Sequence, residues 1–390
     1  MSLIWLQVGQ CGNQIGQEWW HLLCNNASDT DRYPYFSRDG MINAICVDSE
    51  PKVIRKLWKR VKKGSLRDSN LIVGRKGRGN NWAFGYSGDG TDTEKSLLAR
   101  TMESFRHELE RRDCYSGTVL LHSLCGGTGS GLGARLCEEI RDTYPAGHIL
   151  SVAVAPHETG DTPLQHYNSL LCLSWLQRYS DGILLFQNDD IMHRVAALGE
   201  KKVPLVSGVE APVSIAAMNS HIASCLAGLL YPTNTLRTRR GTPFWDRVTL
   251  SLTKNIPRTS PDGRLHHSTS LLAVSRASQD KPFLLSQDSV LMKLKQSYRC
   301  VPWNPFPIDY WTGSQNILDP SQQSHSLTVC ANHSSAADLM SRVIQRAQSM
   351  YEARAYLHWY QRYGCEEEDF QGAFHTLHSV VEEYNKLGES

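Results

Sequence analysis

The feature that most restricts this chain is the run Gly126-Gly127-Thr128-Gly129-Ser130-Gly131-Leu132-Gly133. It lies between an apolar stretch at Val119–Leu124, read as a strand, and a helical pattern starting near Ala134. A glycine-rich strand-to-helix turn lets backbone N–H groups approach phosphate oxygens, and the helix dipole favours the anion. Thr128 and Ser130 add hydroxyl donors. The plain alternative is a structural turn. The loop does not name a nucleotide. Gly129-Ser130-Gly131-Leu132-Gly133-Ala134 comes close to the G-x-G-x-x-G/A dinucleotide fingerprint, and Glu158 follows the next strand, so a nicotinamide- or flavin-dependent oxidoreductase is a rival reading of this segment.

The pattern around this loop sets the architecture. Leu3–Val8 reads as a buried strand, followed by Ile15, Trp19 and Leu22 at helical spacing. Ile42–Val47 is a second strand, and a helix begins at Pro51, a residue favoured at the first helical position. Leu97, Thr101, Phe105 and Leu109 mark a further helix, and Ile149–Ala155 and Ile183–Phe186 further strands. Strands alternating with helices predict a parallel sheet covered on both faces, with ligands at the carboxyl ends of its strands. After about Pro204 the pattern changes. Ser214–Leu230 reads as a buried helix, strands are expected near Ser268–Val274 and Ser326–Ala331, and the end is helical, carried by Leu339, Val343 and Ala347 and then Phe374, Leu377 and Tyr384. The 390 residues are read as a first α/β domain over 1–203, a central helix and a smaller α/β domain over 204–332, and a C-terminal helical region over 333–390.

Other strand ends carry chemistry of their own. Gly9-Gln10-Cys11-Gly12-Asn13-Gln14-Ile15-Gly16 offers amides on a small-residue loop, or else a polar helix cap. Asp48 and Glu50 are two carboxylates beside a phosphate loop, suited to a magnesium ion held mostly through water; helix capping ahead of Pro51 is the other reading. Asn80 sits in Gly79-Asn80-Asn81-Trp82-Ala83, as a turn residue or a phosphate or ribose contact. Asn188 and Asn219 are carboxamides able to meet the donor and acceptor edge of guanine, or structural asparagines.

Composition excludes several classes. A net charge of +2 argues against a dedicated nucleic-acid binder, and no apolar run is long enough to span a bilayer. Eleven cysteines without a C-x-x-C pair indicate neither a disulfide framework nor a zinc ribbon, and fit a cytosolic setting. The basic stretch Arg55–Arg78 reads first as a solvated helix face and second as a docking surface for an acidic partner.

Taken together, GQCGNQIG at 9–16, GNNWA at 79–83, GGTGSG at 126–131 and the closing Arg354-Ala355-Tyr356-Leu357-His358-Trp359-Tyr360 with its acidic sequel resemble the tubulin superfamily. The segments occur in that family's order and cover most of the chain, which removes the oxidoreductase as a serious rival. Asn80-Asn81-Trp82-Ala83-Phe84-Gly85-Tyr86 and Cys365–Phe370 are similar to the zeta and delta forms, zeta first and delta second.

The resemblance implies a tubulin-like α/β fold that binds GTP or GDP with Mg2+. Gly9, Gln10, Cys11 and Gln14 match its first nucleotide loop, Asp48 and Glu50 the loop beside the γ-phosphate and magnesium, and Asn80 the next. Gly126, Gly127, Thr128, Gly129 and Ser130 match the phosphate loop, with Cys125 in place of the usual leading glycine. Asp161 and Gln165 fall in the ribose-contacting segment, Asn188 and Asn219 match the guanine-reading pair, and Ile215 stands where an aromatic usually stacks on the base.

Hydrolysis in this family is completed in trans, and Asp246, in the compressed stretch Thr233–Pro257, is the candidate acid. The implied partners are alpha/beta-tubulin or other centriolar tubulins, and the implied place is the cytoplasmic cytoskeleton at a centriole or basal body. A polymer-activated GTPase and a structural adaptor that no longer uses nucleotide remain the alternatives.

Overall fold

The computed structural model describes residues 3–26, 35–60, 65–88, 96–160, 162–200, 213–232, 259–276, 287–313, 316–318 and 326–387. Its first half runs β1 (Leu3–Val8), α1 (Gly9–Asn26), β2 (Ala44–Asp48), α2 (Pro51–Arg60), β3 (Leu71–Val73), α3 (Trp82–Ser87), α4 (Leu97–Glu110), β4 (Gly117–Ser123), α5 (Gly133–Thr143), β5 (His148–Ala155), α6 (Gln165–Tyr179), β6 (Gly182–Gln187) and α7 (Asn188–Glu200). The second half adds α8 (Ile215–Leu230), β7 (Ser268–Arg276), α9 (Gln287–Ser297), β8 (Ile308–Gly313), β9 (Ser326–His333), α10 (Ala336–Glu352), α11 (Leu357–Gln361) and α12 (Glu367–Lys386).

Contacts divide the chain into two compact units. The first comprises Met1–Gln17, Ser28–Leu184 and Leu339–Glu383, and the second Glu18–Ala27, Leu185–Asp338 and Tyr384–Ser390.

The sheet of the first unit has the order β3-β2-β1-β4-β5-β6. Neighbours from β3 through β5 pair in parallel. Its central strands read as nearly continuous apolar runs because helices cover both faces: Ile4, Trp5, Leu6 and Val8 in β1, interrupted by the buried Gln7, and Ala44–Val47 in β2 have no exposed surface. The strand order reverses between β1 and β4, the switch point at which such sheets open a crevice at their carboxyl ends. The second unit carries a three-stranded sheet, β8-β7-β9, with β7 parallel to β8 and antiparallel to β9. α8 packs on it so closely that a Cβ at Gly228 would lie 2.0 Å from Thr328 Oγ1.

Three expectations are corrected. Gly9–Gly16 and Gly126–Gly133 were expected as loops, but α1 starts at Gly9 and Gly127–Leu132 forms a wide π-type turn running into α5. On α4 the buried stripe continues to Glu108, at 1% exposure, while Leu109 is only half-buried. Glu108 is held at 3.1 Å by Arg67, at 3.0 Å by Arg111 and Arg112, and at 3.1 Å by Asn70. Arg67 is thereby withdrawn from the basic stretch, and Arg78 lies over the Phe84 ring at 4.7 Å, so that stretch is not one uniform solvated face. β3, β8 and α9 escape the sequence pattern because three residues show no period and the side chains of β8 are mostly half-buried.

Candidate nucleotide-binding site

The first turn of α1 lies against the ends of β2 and β4. Gly9 has φ +71°, a conformation L side chains rarely adopt, and a Cβ there would sit 3.0 Å from the Gly129 amide. A Cβ at Gly12 would lie 2.0 Å from the Leu121 carbonyl. Asn13, fully buried, donates to the carbonyls of Gly9 and Val47 at 2.9 Å each, tying the helix start to β2. Gln10 is exposed and Gln14 half-buried. Burial, with Cys125 beside it, pushes the Cys11 thiol up to about 12, so it is a neutral thiol and not a nucleophile at physiological pH.

At the end of β2, Asp48 is 4% exposed. Its Oδ1 accepts from the Glu50 amide at 3.2 Å, while its buried Oδ2 has no hydrogen-bond partner among the described residues. Burial raises its carboxyl to about 6, and the exposed Glu50 adds to the rise. The Ser49 and Thr128 hydroxyls meet at 2.5 Å, joining β2 to the glycine turn. Glu50 rests on Gly77, where a Cβ would come within 2.3 Å of Oε1. Among the described residues no three His, Cys, Asp or Glu side chains are grouped to hold a metal, so an ion here would draw on Asp48, Glu50, water and phosphate, as magnesium does.

The third loop closes on the glycine turn. A Cβ at Gly85 would lie 1.9 Å from the Gly127 carbonyl, one at Gly127 2.6 Å from Arg78 O, and one at Gly131 2.1 Å from Trp82 O. Gly127 and Gly131 therefore serve backbone packing against residues 78–86, not only ligand approach. Gly126 differs: a Cβ there would meet only Ser123 Oγ at 3.5 Å. The Ser130 hydroxyl donates to the Gly126 carbonyl and is buried, so it is spent within the turn. Asn80 adopts φ +51°, and its neighbour Asn81 caps α3 by accepting from the Phe84 amide at 3.2 Å.

Two residues that sequence reasoning missed hold this assembly, Asn13 and Asn168. Asn168, fully buried on α6, donates to the carbonyls of Asn80 and Cys125 at 2.7 Å each and accepts from the Trp82 amide at 2.8 Å and the Tyr360 hydroxyl at 2.6 Å. No local pattern marks either asparagine as a tie between loops, because all of their partners but the Gly9 carbonyl lie 34 or more positions away. The ribose segment is partly visible. Gln165 is 4% exposed and donates to His157 O at 3.4 Å. Asp161 lies outside the described residues. Glu158, the acid of the dinucleotide reading, pairs with Arg342 at 3.2 Å.

In the second unit Asn188 heads α7 and Asn219 is buried in α8, two helices that pack together. Ile215, at the first position of α8, is 66% exposed. Buried Arg276 caps the end of α8, donating to the carbonyls of Gly228 at 3.0 Å, Pro232 at 3.1 Å and Tyr231. Asp246 and the rest of 233–257 lie outside the described residues.

The loops after β1, β2, β3 and β4 thus meet at the switch point of a parallel sheet, where backbone amides, an orphaned buried carboxylate oxygen and little side-chain bulk fit a phosphate chain and its cation. The family model described as the Tubulin/FtsZ family, GTPase domain, matches residues 2–196. The tubulin delta chain of Homo sapiens is 28% identical over 467 residues, covering 99% of this chain and 100% of that one. The tubulin delta chain of Mus musculus is 28% identical over 470 residues with 100% of both chains covered. The tubulin beta chain of Schizophyllum commune is 28% identical over 436 residues, covering 100% of this chain and 96% of that one. With the family's GTPase domain matched across half its length, and the strand-end loops of that domain assembled as described, the chain belongs to the tubulin/FtsZ family of guanine-nucleotide-binding proteins.

Proposed function

We propose that the protein binds GTP with magnesium and acts as a structural tubulin of centrioles or basal bodies, docking onto alpha/beta-tubulin. The observation that carries the nucleotide half is the meeting of four strand-end loops at one sheet edge, with Gly9 against Gly129 and Ser49 bonded to Thr128. In this reading the amides of Gly126–Gly129 hold the phosphates with the first-loop residues Gln10, Cys11 and Gln14, and Asn80 flanks them; the Ser130 amide is bonded to the Gly126 carbonyl at 3.0 Å. Asp48 and Glu50 hold magnesium through water. Bound magnesium would neutralise phosphate charge. Asp161 and Gln165 for the ribose, and Asn188 and Asn219 for the guanine edge, are assigned from the family resemblance alone. The centriolar half rests on the likeness to delta chains. No helix among the described residues is long and apolar enough to cross a membrane.

The test is the small molecule released when protein purified from cells is denatured, followed by competition between GTP and ATP. GDP or GTP with a clear preference over ATP supports the reading; an empty protein without preference overturns it and leaves the structural adaptor. Turnover is a separate question. Acceleration of single-turnover hydrolysis by added alpha/beta-tubulin, lost in Asp246→Ala, would establish the polymer-activated GTPase.

A further inference from the structure

Asn168 makes four hydrogen bonds, two donated and two accepted, which is the whole capacity of a carboxamide. Its acceptors are the carbonyls of Asn80 and Cys125, at the mouth of two nucleotide loops. One of its donors is Tyr360 of α11, fully buried and 192 residues away in sequence. A second bond runs the same way, from Asn81 Nδ2 to the Trp359 carbonyl at 3.0 Å. Phe84 stacks on Tyr363 with ring centroids 4.4 Å apart. The turn carrying these contacts is unusual: Arg354 and Tyr356 have φ of +51° and +60°, and Tyr356 and Trp359 are 43% and 53% exposed. Non-glycine residues persist there only where surrounding structure enforces it.

We infer that Asn168 is a positioning residue that locks the phosphate-facing loops to this exposed aromatic turn, so that nucleotide occupancy and the order of residues 353–364 are coupled. The inference rests on the guanine-nucleotide reading. Each link is a discrete polar contact in a buried setting, where an unmatched carbonyl or amide is costly. Release of the loops from phosphate loosens the Asn80 and Cys125 carbonyls, and the hydrogen bonds that carry this to α11 run through the Asn168 carboxamide and Asn81, beside the Phe84–Tyr363 stack. Coupling of this kind is reciprocal at equilibrium: a partner seated on Trp359 tightens nucleotide binding by the same factor that nucleotide strengthens its docking.

Asn168→Asp keeps the two acceptor roles and removes both donors, turning a carboxylate toward two carbonyls. Tyr360→Phe removes the hydroxyl's bonds to Asn168 at 2.6 Å and to the Leu164 carbonyl at 3.5 Å, with Tyr167 and Phe370 still packed on the ring. The measurements are the dissociation rate of a fluorescent GTP analogue and amide exchange of 353–364 with and without GTP. The expected result is dissociation about tenfold faster in Asn168→Asp, the factor that about 1.4 kcal/mol represents. Tyr360→Phe should dissociate within about twofold of the parent, yet lose most of the GTP-dependent protection at 353–364. An unchanged dissociation rate in Asn168→Asp, with only a lower melting temperature, overturns the inference and leaves a structural asparagine. Equal protection of 353–364 with and without GTP in the parent also overturns it, even if Asn168→Asp cannot be folded. A parent that binds no GTP analogue overturns the guanine-nucleotide reading and this inference with it.

Discussion

Replacing Asp48 by asparagine separates the cost of burying this carboxylate from its use. In the folded chain free of nucleotide and metal, burial raises its carboxyl from 3.8 to about 6. Between those values the native state holds a proton that the unfolded chain has released, so stability falls as pH rises through the window and the deficit is complete above about pH 7. Two units at about 1.4 kcal/mol each give a deficit of about 3 kcal/mol at neutral pH. Asparagine retains the acceptor for the Glu50 amide but places an NH₂ where Oδ2 has no described partner, returning about 1–2 kcal/mol of that gain. Asp48→Asn should therefore stabilise the empty protein by about 1–2 kcal/mol at pH 8 and lose the advantage near pH 4. Denaturant melts at both pH values, run in EDTA without nucleotide, measure this. The same variant should require more magnesium to retain GTP, a trade of function for stability expected at a binding site. A variant less stable than the parent at pH 8 in EDTA would refute the reasoning, because it would mean the carboxylate is satisfied without a cation.

Three further outcomes are expected. Gly12→Ala places a Cβ 2.0 Å from a backbone carbonyl that cannot move aside, so α1 must shift off β4, at about 1–3 kcal/mol, with weakened GTP retention; thermal melts and nucleotide content check both. His122 is buried at 2.7 Å from the Ser151 hydroxyl and held neutral, its imidazole depressed from 6.5 to about 4 by burial. The unfolded chain takes up a proton first, so stability drops as pH falls from about 6.5 toward 4, and His122→Gln should flatten that part of the profile. Glu108→Ala removes the buried carboxylate shared by Arg67 and Arg112, whose side chains are 11% and 6% exposed. Arg67 keeps Asp39 at 2.6 Å and Arg112 keeps the Leu3 carbonyl at 3.0 Å, so the cost in chemical denaturation should be about 1–3 kcal/mol.

Much of the site was legible because its residues are local. The glycines of 126–133 and the small residues of 9–16 announce a strand end that backbone must approach, and the apolar runs Leu3–Val8 and Val119–Leu124 announce a sheet buried on both faces. What those glycines touch was not legible. Gly127 and Gly131 meet the backbone of residues 78–86, contacts that no spacing along the chain encodes. Leu109 was expected to continue the face of α4, but Glu108 is the buried residue, because Arg67, Arg111 and Arg112 gather around it.

By itself, then, the amino-acid order determined the kind of fold and the loop chemistry, since period, glycine content and capping act over a few neighbouring residues. Only the tertiary structure decided that four strand ends meet at one edge, that Asp48 is buried with an idle oxygen, and that Asn168 joins Asn80, Cys125 and Tyr360. Those outcomes depend on hydrogen bonds and desolvation between residues 40 to almost 200 positions apart, which exist only once the sheet has brought its loops together.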